Sequence, residues 1–95
     1  MYAIYTEVDI PDGVPTDGAA EGLETTAVPA VRAAGAVGAY WLEALNGRAM
    51  GVVLFDSEDA AHAAAADLHV GARPGNAPEG VIFNTVEVRE VIARL

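Results

Sequence analysis

The residues able to do chemistry in this 95-residue chain are few. They are the carboxylates Glu7, Glu43 and Glu87, the aromatic pair Tyr5 and Trp41, and the imidazoles His62 and His69. A carboxylate buried beside aromatic rings can act as a general base, because desolvation turns it into a better proton acceptor. Glu43 is the best placed of the three, since its alternate neighbours Trp41 and Leu45 are apolar. Trp41 and Tyr5 could stack on a planar ligand, or fill a core or an interface. Arg48 and Arg89 offer the carboxylates an ordinary alternative as ion pairs.

Other patterns are weaker. His62 and His69 could ligate a metal, but both are expected on the outer face of a helix, where Glu58 four residues before His62 makes a surface pair. Ser57 has no histidine placed to activate it, so it reads as a helix cap. Asp9, Asp12 and Asp17 lack the spacing and closing glutamate of a calcium loop. The glycines at 35–38 and 71–80 do not form a phosphate-binding fingerprint. No cysteine is present, which removes thiolate nucleophiles and thiolate metal sites. The expectation is a chain with no metal and no cofactor.

Five arginines, no lysine and fourteen acidic residues give a net charge of −9. The arginines are scattered, so nucleic acid is not an expected partner. No apolar run is long enough to cross a bilayer, and the first residues lack the basic start of a signal peptide. A cytoplasmic protein with no membrane contact is expected.

The elements that must position these residues follow from periodicity and punctuation. Tyr2 to Ile10 alternates as a first strand. Asp17 is the expected cap of a helix reaching about Ala34, which Pro29 should kink and Gly35 should stop. Val37 to Leu45 and Arg48 to Asp56 flank Asn46-Gly47, the strongest short hairpin signal. Ser57 opens a second helix with Ala61, Ala64, Ala65 and Leu68 on its buried face, ended by Gly71. A loop from Ala72 to Gly80 leads to a long last strand, Val81 to Leu95, with a slip expected near Arg89-Glu90. The result is a single α+β domain over residues 1–95, of ferredoxin-like βαββαβ order. Its four-stranded antiparallel sheet carries two helices on one face.

A two-residue turn predicts that Leu45 opposes Arg48, Glu43 opposes Met50 and Trp41 opposes Val52. Tyr40, Leu42, Val53 and Phe55 then lie under the helices. The helix-free face combines Tyr5, Trp41, Met50, Val52 and Leu54 with Glu7, Glu43 and Glu87. In the last strand, Phe83 and Thr85 share a face with Glu87. So much exposed apolar surface calls for a partner, and a second copy is the economical one.

The βαββαβ order, the G-x-x-x-x-Y-W strand from Gly35 to Trp41, the VVLFDSEDAA strand-to-helix junction and the long last strand resemble the dimeric α/β-barrel superfamily. Within it, the chain is similar to small antibiotic-biosynthesis-monooxygenase-type domains. The resemblance implies a homodimer joined through the helix-free sheet faces, with a cavity at the barrel centre or between sheet and helices. Haem-degrading relatives pair a helix histidine with an Asn on the first strand and a Trp on the third; this chain has neither. The expected function is small-molecule binding, with cofactor-independent monooxygenase-like or isomerase-like activity on a planar or aromatic metabolite. Glu43 is the expected catalytic base, and Tyr5, Glu7, Trp41, Met50, Val52, Phe83 and Thr85 line the substrate site. The alternative is a non-catalytic homodimeric module that binds a ligand or a partner.

Overall fold

A computed structural model describes residues 1–95. The strands are β1 (Tyr2–Asp9), β2 (Gly38–Trp41), β3 (Arg48–Phe55) and β4 (Ile82–Glu90). They form one antiparallel sheet in the order β2-β3-β1-β4, a ferredoxin-like α+β arrangement that does not close into a barrel within one chain. The helices α1 (Ala19–Gly22), α2 (Val28–Ala33) and α3 (Glu58–Ala65) complete the chain, with a π turn over Leu23–Ala27 joining the first two. No helix is long and apolar enough to cross a membrane.

The first helical segment is divided as Pro29 requires. Pro29 stands in the first turn of α2, where its missing N–H costs nothing, and the π turn absorbs the break just before it. Gly35 stops the segment at φ 95°, with Gly35 N–H donating to the Arg32 carbonyl and Ala36 N–H to that of Val31. Asp17 does not cap it. The cap position is Gly18 with no side-chain bond, and the Ala19 N–H is tied to the Thr16 carbonyl instead.

Ser57 caps α3, its hydroxyl accepting from the Ala60 N–H at 3.1 Å. This helix ends at Ala65 rather than at Gly71. The Asp67 and Leu68 amides bond back three residues, to Ala64 and Ala65, which tightens the last turn. The chain then runs beside β4, where Gly71 N–H donates to the Phe83 carbonyl and Phe83 N–H to that of Ala72. His69 therefore lies beyond the helix. His62 is exposed and pairs with Glu58 at 3.5 Å, as an ordinary surface contact.

The core is small: Ile4, Val53, Phe55 and Ala61, with Val31, Trp41, Leu68, Val86 and Val88 packed around it. Val31 from the first helical segment and Ala60, Ala64 and Leu68 from the α3 region meet this cluster together, so both helical layers cover the same sheet face.

The hairpin turn has the conformation its sequence demands, with Asn46 at φ 55° and Gly47 at φ 75°. Leu45 pairs with Arg48, as expected. Beyond that pair the register departs from a regular hairpin. Trp41 pairs with Gly51, and Tyr40 with Val52. Leu42 to Ala44 thus span only Ala49 and Met50 of the partner strand, one residue too many. A one-residue excess exchanges the two faces of β2.

Candidate functional site

The register assigns every side chain of the helix-free face. One row across the sheet reads Tyr40, Val52, Tyr5, Glu87, and its neighbour reads Gly38, Leu54, Ala3, Arg89. On the other side of the first row stand Met50, Glu7 and Thr85, then Arg48, Asp9 and Ile82. The face is therefore divided. Its β2–β3 half is apolar, with Tyr40 68% and Met50 38% exposed. Its β1–β4 half is polar.

The polar half holds a groove of about 480 Å³ lined by Tyr5, Glu7, Thr85, Glu87 and Arg89. Three strand positions two apart, Thr85, Glu87 and Arg89, form one wall, because alternate residues share a face. Tyr5 and Glu7 form the other. The Tyr5 hydroxyl donates to Glu7 Oε2 at 2.9 Å, while Arg48 Nε approaches Glu7 Oε1 at 3.4 Å. Arg89 reaches Glu87 Oε1 through Nε at 2.9 Å and Nη2 at 2.7 Å. Its guanidinium lies 5.9 Å from the centre of the Tyr5 ring.

A bulge finishes the site. The pairing of β1 with β4 shifts between Glu7 and Val8, leaving Asn84 as the extra residue. Asn84 Nδ2 donates to Asp9 Oδ1 at 2.7 Å, and the Thr85 hydroxyl donates to Asn84 Oδ1 at 2.7 Å. Both hydroxyl protons of the groove are thus committed to neighbours. The bond to Glu7 raises the pKa of Tyr5 above the ordinary phenol value, since ionisation would break it. Desolvation and the charges of Glu7 and Glu87 act in the same direction, and Arg89 opposes them.

Of the residues expected in the site, Tyr5, Glu7 and Thr85 are brought together in the groove. Met50 and Val52 lie on the same face as its apolar half. Three others are elsewhere. Trp41, opposite Gly51, faces the helices and packs on the core, because the extra residue in the hairpin reversed its face. Phe83 pairs with Val8 beyond the Asn84 bulge and takes the face of Ile4, Thr6 and Val8. Glu43 falls in the irregular stretch between β2 and Leu45, exposed and outside the groove lining. The expected break near Arg89-Glu90 lies instead at Asn84, and β4 ends at Glu90 with Val91 to Leu95 outside it.

Arg89 is the main lining residue that sequence reasoning left out of the site, though its spacing from Thr85 and Glu87 placed it there. Tyr40, expected under the helices, occupies the open face opposite Val52. No three His, Asp or Glu side chains gather in a geometry able to hold a metal ion. Comparison with family models, curated proteins and solved structures finds no match to this chain.

Proposed function

We propose that this chain binds a small planar metabolite as a homodimer, with two helix-free sheet faces opposed so that the Tyr5 groove becomes a chamber between them. The observation that carries this reading is the division of that face into an exposed apolar strip and a polar groove. The strip, exposed at Tyr40 and Met50 and half-buried at Val52 and Leu54, supplies the contact, and the groove supplies the ligand site. Surface area supports the same reading. The chain exposes 6303 Å². A monomer of 9.8 kDa is expected to expose about 5,200 Å². The excess of about 1,100 Å² covers the roughly 800 Å² that one partner gives to a standard interface. A dimer of this form is the dimeric α/β barrel that the sequence resembles.

In the catalytic form of this reading, Glu7 takes the proton-accepting role in place of Glu43. Of the two groove carboxylates it is the less exposed, 19% against 43% for Glu87, and it is held in place by Tyr5 and Arg48. A cofactor-independent monooxygenase-like or isomerase-like reaction begins with removal of a proton from the substrate, which this carboxylate can accept. The non-catalytic form, a homodimeric binding module, uses the same surfaces without proton transfer.

Sedimentation at micromolar concentration tests the assembly. The expected species has twice the 9.8 kDa chain mass, and Met50→Glu on the apolar strip should shift it toward the single chain. A wild-type monomer at all concentrations refutes the opposed-face dimer. Exchange of an acidic C–H of a bound ligand in D₂O then separates the two forms. Exchange lost in Glu7→Gln marks a base; binding without exchange marks a module.

A further inference from the structure

We propose that the Tyr5 groove selects an organic cation, a planar amidinium, guanidinium or ammonium compound, which displaces Arg89 from the face of Tyr5. This rests on the reading of the groove as a small-molecule site and adds the chemical class of the ligand.

Three features of the wall lead to this. The lining holds two carboxylates, Glu7 and Glu87, against one guanidinium, Arg89. Its hydroxyl donors are spent: the Tyr5 proton goes to Glu7, and the Thr85 proton to Asn84. Apart from Arg89, these side chains leave a ligand oxygen lone pairs and a π face, which call for N–H donors on the ligand. An anion would find Arg89 already engaged by Glu87 and Arg48 already engaged by Glu7, and would meet repulsion from both carboxylates.

Arg89 itself displays the ligand class. Its guanidinium lies over the Tyr5 ring and engages Glu87 through two nitrogens, the geometry in which a cation is held by an aromatic face and a carboxylate together. The arginine side chain is 69% exposed, which leaves it a path into solvent when a ligand takes its place. Both of its nitrogens contact Glu87 Oε1, leaving Oε2 for a second donor. A planar cation slid onto Tyr5 would gain the ring face and this oxygen, while Arg89 swings into solvent.

The test uses three probes of nearly one shape and three charges: benzamidinium, benzamide and benzoate, titrated into the whole chain and followed by ¹H–¹⁵N chemical shifts. Benzamidinium is expected to bind about tenfold or more tightly than the other two, with shifts centred on Tyr5, Glu7, Thr85, Glu87 and Arg89. Arg89→Ala should tighten benzamidinium binding, because it removes the internal competitor. Glu87→Gln should weaken it about tenfold, the loss of a charge-assisted pair. Benzoate as the best probe, with binding lost in Arg89→Ala, overturns the cation assignment and leaves the groove as a small-molecule site. Equal binding of benzamide and benzamidinium also overturns it, showing that shape alone decides. No shift in the groove with any probe overturns both the assignment and the reading beneath it.

Discussion

The Trp41 ring lies directly over the bare backbone of Gly51. A β-carbon on Gly51 would stand 2.7 Å from Trp41 Cδ1 and 3.0 Å from its Nε1, with Thr6 Oγ1 at 3.1 Å on the same side. The pair records in one contact that β2 turns Trp41 toward the helices, against a residue that must be glycine for the indole to fit.

Gly51→Ala is accordingly expected to destabilise the chain by about 1–3 kcal/mol, the usual cost of overpacking. Trp41 is the only tryptophan, so its emission reports the urea transition directly. In a Trp41→Leu background, followed by circular dichroism, the same alanine should cost much less, because the colliding ring is gone. Equal costs in the two backgrounds would show that the indole does not cover Gly51.

Gly47 is constrained by a different contact. It stands at φ 75°, its carbonyl oxygen accepts from the Ile10 N–H at 2.8 Å, and a β-carbon there would lie 3.2 Å from the Ile10 carbonyl oxygen. Backbone cannot move aside as a flexible side chain can. Gly47→Ala should cost about 1 kcal/mol or more in denaturant unfolding. Asn46→Gly, at φ 55° in the same turn, should be close to neutral.

These two glycines show where the sequence was legible and where it was not. Asn46-Gly47 announced its turn because a turn of positive φ demands particular residues. The extra residue between Trp41 and Leu45 announced nothing: Leu-Glu-Ala is compatible with a regular strand and with a bulge alike. Because strand faces alternate, that silent insertion moved Trp41 to the core and Tyr40 to the open face. Asn84 did the same to Phe83 in β4. The first strand has no bulge of its own, and Tyr5 and Glu7 stood where alternation put them. Element order, the cap at Ser57 and the stop at Gly35 rest on local chemistry and could be read. Register past a bulge depends on partner strands, and local sequence does not carry it.

The Ser57 cap yields a prediction independent of register. Its hydroxyl accepts from the Ala60 N–H at 3.1 Å, one of the unpaired amides that open α3. Ser57→Ala should lower unfolding free energy by about 1 kcal/mol, and Ser57→Asp should retain most of it. Since α3 supplies Ala61 to the core, the loss should appear in global unfolding rather than as fraying of one helix.

Tyr5 donates its proton to Glu7, which raises the folded-state pKa above the ordinary phenol value of 10.0. The folded chain therefore holds this proton more firmly than the unfolded chain does. By linkage, the resulting stability is complete below the unfolded pKa and declines as pH rises through the folded one. Ultraviolet titration of the phenolates at 295 nm should show a late-ionising group that Tyr5→Phe removes. Glu7→Gln should bring that ionisation to lower pH, because the charged acceptor and its repulsion of the phenolate are both lost. Arg89→Ala should move it the other way, since Arg89 favours the phenolate. Opposite shifts in these two variants are the signature of the Tyr5–Glu7–Arg89 arrangement. Shifts of the same sign, or none, would separate Tyr5 from the groove chemistry.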